Sequence, residues 1–84
     1  MKNKVLIKLY VPAIDMEYEL FIPTNETVKK VVDLLVNSIQ ELSDDALPID
    51  NRYYLFDPES ASIYGNAAII RDTKITNDKR ILLI

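Results

Sequence analysis

Apolar and polar residues alternate from the start of the chain. Val5, Ile7, Leu9 and Val11 fall on one side, and Lys4, Leu6, Lys8 and Tyr10 on the other. A period of two belongs to a half-buried strand, and the lysines mark its wetter face. Residues 16–22 alternate again, with Met16, Tyr18, Leu20 and Ile22 opposed to Glu17, Glu19 and Phe21. Pro12-Ala13-Ile14-Asp15 supplies a turn between the two runs, without the Asn-Gly or Asp-Gly signal of a tight hairpin. The two strands are predicted to pair as a hairpin.

The period then changes. Pro23 breaks the second strand, and Thr24, Asn25 and Thr27 are candidate helix caps. Thr27 is selected, because Val28, Val31, Val32, Leu35, Ile39 and Leu42 follow it at the spacing of one helical face. A helix over 28–42 is predicted, with Leu34 and Val36 widening its apolar stripe and Lys29 and Asp33 as an i, i+4 pair. A polar loop over 43–51 follows, interrupted by Leu47-Pro48-Ile49. Residues 52–57 read as a third strand rich in aromatics and stopped by Pro58. Residues 59–68 read as irregular, with a turn at Gly65-Asn66. Ile69 and Ile70 are predicted to pack under a short loop or 3₁₀ turn. After a turn at Thr76-Asn77-Asp78-Lys79, residues 80–84 form the last strand. The order is ββαβ, irregular segment, β: one α+β domain over 1–84, with a helix on one face of a mixed sheet.

Composition removes most chemistry. The 84 residues include no Cys, no His and one Gly. Disulfides, thiolate metal sites, the commonest general base and Gly-rich phosphate loops are therefore all missing. Ser38, Ser43, Ser60 and Ser62 have no His to activate them. A non-catalytic protein without cofactor or metal is expected. The net charge of −3 opposes binding to nucleic acid. Tyr53, Tyr54 and Phe56 suggest a stacking platform for bases, but alternation places Tyr54 and Phe56 in the core. Glu41, Asp44, Asp45 and Asp50 lack the ordered spacing and turn glycine of a calcium loop and read as solvated acids. No apolar run approaches a membrane span, and Met1-Lys2-Asn3-Lys4 opens no leader, so a cytoplasmic location is expected.

The element order, the strand ending in Pro23, the helix opening Thr27-Val28, and Tyr54-Leu55-Phe56 together resemble the β-grasp fold of ubiquitin. Within that fold, Tyr18-Glu19-Leu20-Phe21-Ile22-Pro23, the helix 28–39 and the stretch 72–83 are similar to the bacterial YukD/EsaB group. Those proteins are accessory components of type VII (ESX-type) secretion in Gram-positive bacteria. The resemblance implies a sheet ordered 2-1-5-3. It also implies a protein partner, such as a membrane or ATPase component of the secretion apparatus, with recruitment to the inner face of the cell membrane. The group usually has Gly in the final turn, where this chain has Asn77-Asp78. Conjugation and sulfur transfer in ubiquitin relatives need a tail ending in Gly-Gly. This sequence stops at Ile84 without one, so neither role is expected. A β-grasp adaptor or detached subunit of another bacterial complex is the alternative.

Strand parity then predicts a binding face. With Val5, Ile7, Leu9, Tyr54, Ile81 and Leu83 pointing in, Leu6, Tyr53, Leu55, Leu82 and Ile84 point out, joined by Lys4, Lys8 and Arg80. Leu55 and Leu82 fall where ubiquitin presents the apolar patch read by its receptors, as the resemblance implies. The candidate face is Leu6, Lys8, Tyr53, Leu55, Arg80, Leu82 and Ile84. Its basic residues point to an acidic, apolar partner surface, unless Glu17 or Glu19 pairs with Lys8. Arg80 has no obvious partner in the sequence. A register one residue off, or residues 59–68 folded over the patch, would remove the face.

Overall fold

The computed structural model describes residues 3–84; Met1 and Lys2, part of the stretch read as opening no leader, lie outside the described residues. Strand β1 is Lys4–Val11 and β2 is Met16–Pro23, paired antiparallel with Val5 opposite Ile22 and Val11 opposite Met16. The 3₁₀ turn Pro12–Ile14 joins them, and Asp15 in a left-handed conformation (φ 51°) reverses the chain without a glycine.

Helix α1 is Val28–Ser43. Thr27 caps it, its Oγ1 accepting the Lys30 N–H at 3.2 Å. Val28, Val31, Val32, Leu35 and Ile39 are buried against the sheet, but Leu42 is 60% exposed and not part of the core stripe. Leu47 joins the core instead. The Gln40 side chain holds the Leu47 backbone at both ends, Nε2 donating to the carbonyl (2.8 Å) and Oε1 accepting the N–H (3.0 Å).

Strand β3 is Leu55–Asp57, β4 is Ser62–Ile63 and β5 is Lys79–Leu83. The sheet runs β2-β1-β5-β3-β4, with β1 and β5 parallel and every other pair antiparallel. This is the ubiquitin-like β-grasp, with one short edge strand beyond the expected four. Ser62–Ile63 pairs beside β3, within a segment expected to be irregular. The second 3₁₀ turn, Ile70–Asp72, buries Ile70. Backbone bonds from Val28 to Ala68 (2.8 Å) and from Ile70 to Glu26 (3.0 Å) tie it to the start of the helix.

The core is closed by ions where β3 meets β5. Asp57, only 8% exposed, shares the inward parity of Leu55, and its Oδ1 lies 3.3 Å from the Lys79 ammonium. Oδ1 also accepts the Glu59 N–H and Oδ2 the Ser60 hydroxyl, each at 3.0 Å. Burial alone would raise the Asp57 carboxyl; these bonds and the Lys79 charge outweigh it and hold the group below its ordinary value. Glu59 takes a second bond from Lys79 at 3.0 Å. Beside them, burial, followed by the Asp57 charge, pushes the Tyr64 phenol up.

Candidate protein-interaction face

The helix covers one side of the sheet, and the pairing registers assemble the other. Tyr10 stands opposite Glu17 on β2 and beside Leu82 on β5; Leu82 faces Phe56 on β3, and Phe56 faces Ile63 on β4. Glu17, Tyr10, Leu82, Phe56 and Ile63 therefore form one row across all five strands. Glu19, Lys8 and Arg80 form the next row, and Phe21 and Leu6 a third. Ile84 extends the apolar part, exchanging two backbone hydrogen bonds with Tyr54 at 2.7 and 3.0 Å.

Five of the seven candidate residues share this surface: Leu6 and Leu82 half-buried, Lys8, Arg80 and Ile84 exposed. Two do not. Leu55 is completely buried and faces Leu83 in the core, so its predicted outward position is corrected. Tyr53 shares its parity: the ring packs against the core on the helix side, and its hydroxyl donates to the Pro48 carbonyl at 2.6 Å. Phe56 and Tyr54, expected inside, take the outer positions instead. The expected register of β3 is off by one residue, because Asp57 and Lys79 satisfy each other on the inner side and remove the need for Asp57 to face water.

The corrected register keeps the face and changes its members. Tyr10 and Phe21 already had outward parity in the sequence. Phe56 enters through the register, and Ile63, 53% exposed, through a strand that no periodicity announced. Because Ser62–Ile63 joins the sheet edge, it widens the apolar row rather than covering it.

One pair of charges on the face is internal. Arg80 meets Glu17 at 3.5 Å, with both side chains exposed, which supplies the partner the sequence left open. Lys8 sits opposite Glu19 in the register. A shallow cleft of about 360 Å³ follows the row, lined by Lys8, Tyr10, Glu17, Pro58, Arg80 and Leu82 among others. Tyr10 is anchored at its rim: its hydroxyl donates to Asp15 Oδ1 at 2.6 Å. That bond chiefly, then burial and the Asp15 and Glu17 charges, pushes its phenol up. A larger cleft of about 720 Å³ separates α1 from residues 48–54. Its lining mixes Val32, Val36, Ile49 and Tyr54 with Lys29, Asp33, Asn51 and Arg52, so apolar and charged groups alternate around it rather than forming a row across strands.

Among the described residues no group of three or more carboxylates is placed to hold a metal ion, and no helix is long and apolar enough to cross a membrane. What the face offers is contact: a contiguous apolar band beside a balanced set of charges.

No family model matches the chain, and no curated protein sequence does. The fold has solved counterparts. A chain of the MycP5-free ESX-5 inner membrane complex superposes with a TM-score of 0.81 at 11% identity, over 98% of this chain and 21% of that one. This chain thus spans about a fifth of that protein. The ubiquitin-like domain of the type VII secretion protein EccD1 from Mycobacterium tuberculosis gives a TM-score of 0.74 at 12% identity, over 96% of this chain and 97% of that one. A chain of the toluene 4-monooxygenase HD complex with the inhibitor 4-bromobenzoate gives 0.79 at 7% identity, over 96% of both. At such identities the likeness shows the fold.

Proposed function

We propose that this chain is a non-catalytic, ubiquitin-like interaction module and an accessory or regulatory component of a type VII secretion system in a Gram-positive bacterium. In this reading it belongs with the YukD/EsaB group, works in the cytoplasm and is recruited to the inner face of the membrane by a membrane or ATPase component. The apolar row from Ile63 to Tyr10, across four strands, carries the proposal: a domain standing alone has no structural need for a continuous apolar band on its helix-free face. The sequence resemblance supports the secretion context, and the likeness to the EccD1 domain is consistent with it.

The test is titration of the protein against the purified cytosolic regions of the secretion ATPase and membrane components of its own organism. Phe56→Ala and Leu82→Ala should keep the fold and weaken one of these complexes by at least ~30-fold, the loss typical of an interface anchor. No binding to any component, or binding untouched by both variants, would reject the reading. The fold likeness to the toluene 4-monooxygenase chain favours a second one, a β-grasp subunit of another bacterial complex. That reading predicts co-purification with a multisubunit enzyme and the same sensitivity to Phe56 and Leu82.

A further inference from the structure

We propose that the free edge of β2 receives an extended strand of a partner protein whose outward-facing side chains are basic. The inference rests on backbone polarity and charge, independently of the function proposed above.

The backbone decides which groups are open. Thr24 donates to the Asn3 carbonyl at 2.8 Å, continuing the β1–β2 register by one step. In an antiparallel ladder the bonded pairs recur every second residue. Met16, Tyr18, Leu20 and Ile22 therefore turn their N–H and C=O groups to β1, while Glu17, Glu19 and Phe21 turn theirs away. The opposite side of β1 agrees: the Leu6 N–H donates to Asn77 Oδ1 at 2.9 Å, and the Leu6 carbonyl accepts from the Asp78 N–H at 2.7 Å, both towards β5. Since β2 ends the sheet, and no described residue bonds to its outer side, three consecutive bonding positions stand open. The edge strand is eight residues long and carries neither a bulge nor an interior proline, two of the devices that block strand addition; its only guard is charge.

The side chains choose the occupant. At those three positions they are two carboxylates and a phenylalanine 59% exposed. A second copy pairing antiparallel about Glu19 would set Glu19 against Glu19, and like charges directly opposite are destabilising. A strand with Lys or Arg opposite Glu19 and Glu17 makes cross-strand ion pairs, and an apolar residue fits opposite Phe21. Glu19 is available, having no ion pair among the described residues, whereas Glu17 is shared with Arg80. Intervening residues of the incoming strand would lie beside Tyr18 and Leu20, both half-buried, and should be apolar. The partner is thus a basic, alternating strand added by main-chain bonding.

The probe is a short synthetic peptide alternating valine with lysine, compared with the same peptide carrying glutamate for lysine. Amide exchange followed by NMR should slow at Glu17, Glu19 and Phe21 with the lysine peptide and stay unchanged at Tyr18, Leu20 and Ile22. Docking on the face would not produce that alternation. Glu19→Gln should weaken lysine-peptide binding about threefold, and Glu17→Lys with Glu19→Lys should exchange the preference to the glutamate peptide. Shifts without alternating protection, equal affinity for the two peptides, or no binding of either would each overturn the proposal.

Discussion

Leu55 on β3 and Leu83 on β5 face each other in the core, and neither exposes any surface to solvent. Between them they close the sheet over the helix, beside Ile81. Leu55→Ala should cost ~2–5 kcal/mol of unfolding free energy, comparable to Ile81→Ala, because both leave a cavity in a core with little margin. Leu82→Ala, on the outer side of the same strand, should stay within ~1 kcal/mol of wild type. Urea unfolding of the three variants measures this; a Leu55→Ala protein as stable as Leu82→Ala would return Leu55 to the surface.

That pair also shows where the sequence is legible. Strand β1 and the start of α1 follow their periods to the residue, because burial on one side imposes a two- or 3.6-residue repeat that few alternatives satisfy. Strand β3 is shorter than its aromatic run, and the aromatic positions Tyr54 and Phe56 set its apparent parity. Asp57 looks like a surface residue until Lys79, twenty-two positions later, neutralises it. Five of the seven candidate residues keep their outward positions, since four lie on β1 and β5, whose parity has no such partner to hide. Strand β4 left no periodic trace, its two residues being too few to repeat.

The turn before β4 escaped for another reason. Ala61 adopts φ 54° there, a left-handed conformation usually advertised by glycine, while Gly65 has no positive φ. Asp78 (φ 66°) likewise does the work of the glycine missing from the final turn. Ala61→Gly should stabilise the protein by about 0.5–1 kcal/mol, the relief of the Cβ clash less the added freedom of the unfolded chain. A lower denaturation midpoint for that variant would show that the Ala61 side chain contributes more than its backbone strain costs.

On the proposed face, Tyr10 should titrate above its ordinary value of 10.0. Asp15→Gly removes the acceptor and its charge, and glycine tolerates the left-handed backbone at that position. In the variant the Tyr10 midpoint, followed by NMR of the ring, should fall towards 10.0. An unchanged midpoint would mean the hydroxyl is not held at the cleft rim. If it is held, Asp15→Gly should also weaken partner binding while leaving stability nearly unchanged, because the Tyr10 hydroxyl loses its acceptor and the ring its fixed orientation at the surface.

The Asp57–Lys79–Glu59 cluster gives stability a pH profile with two limbs. The Asp57 carboxyl titrates below its unfolded value of 3.8 in the native state, so its contribution is fully present above that value. It is lost as pH falls further, through the lower folded value. Lys79 runs the other way. Its hydrogen bond to Glu59, set against burial and reinforced by Asp57, raises it above 10.5, so its contribution holds below 10.5 and is lost as pH climbs through the higher folded value. Between the limbs the cluster should contribute no slope. Asp57→Asn should lower stability at neutral pH, because the Lys79 ammonium, 12% exposed, keeps only the solvent-facing Glu59 as partner. The same variant should lose part of the acid limb, its stability falling less steeply than wild type below 3.8. Lys79→Met should instead flatten the alkaline limb. Denaturation midpoints across the pH range decide the matter: an Asp57→Asn protein with a wild-type acid slope would show that other carboxylates carry the acid sensitivity.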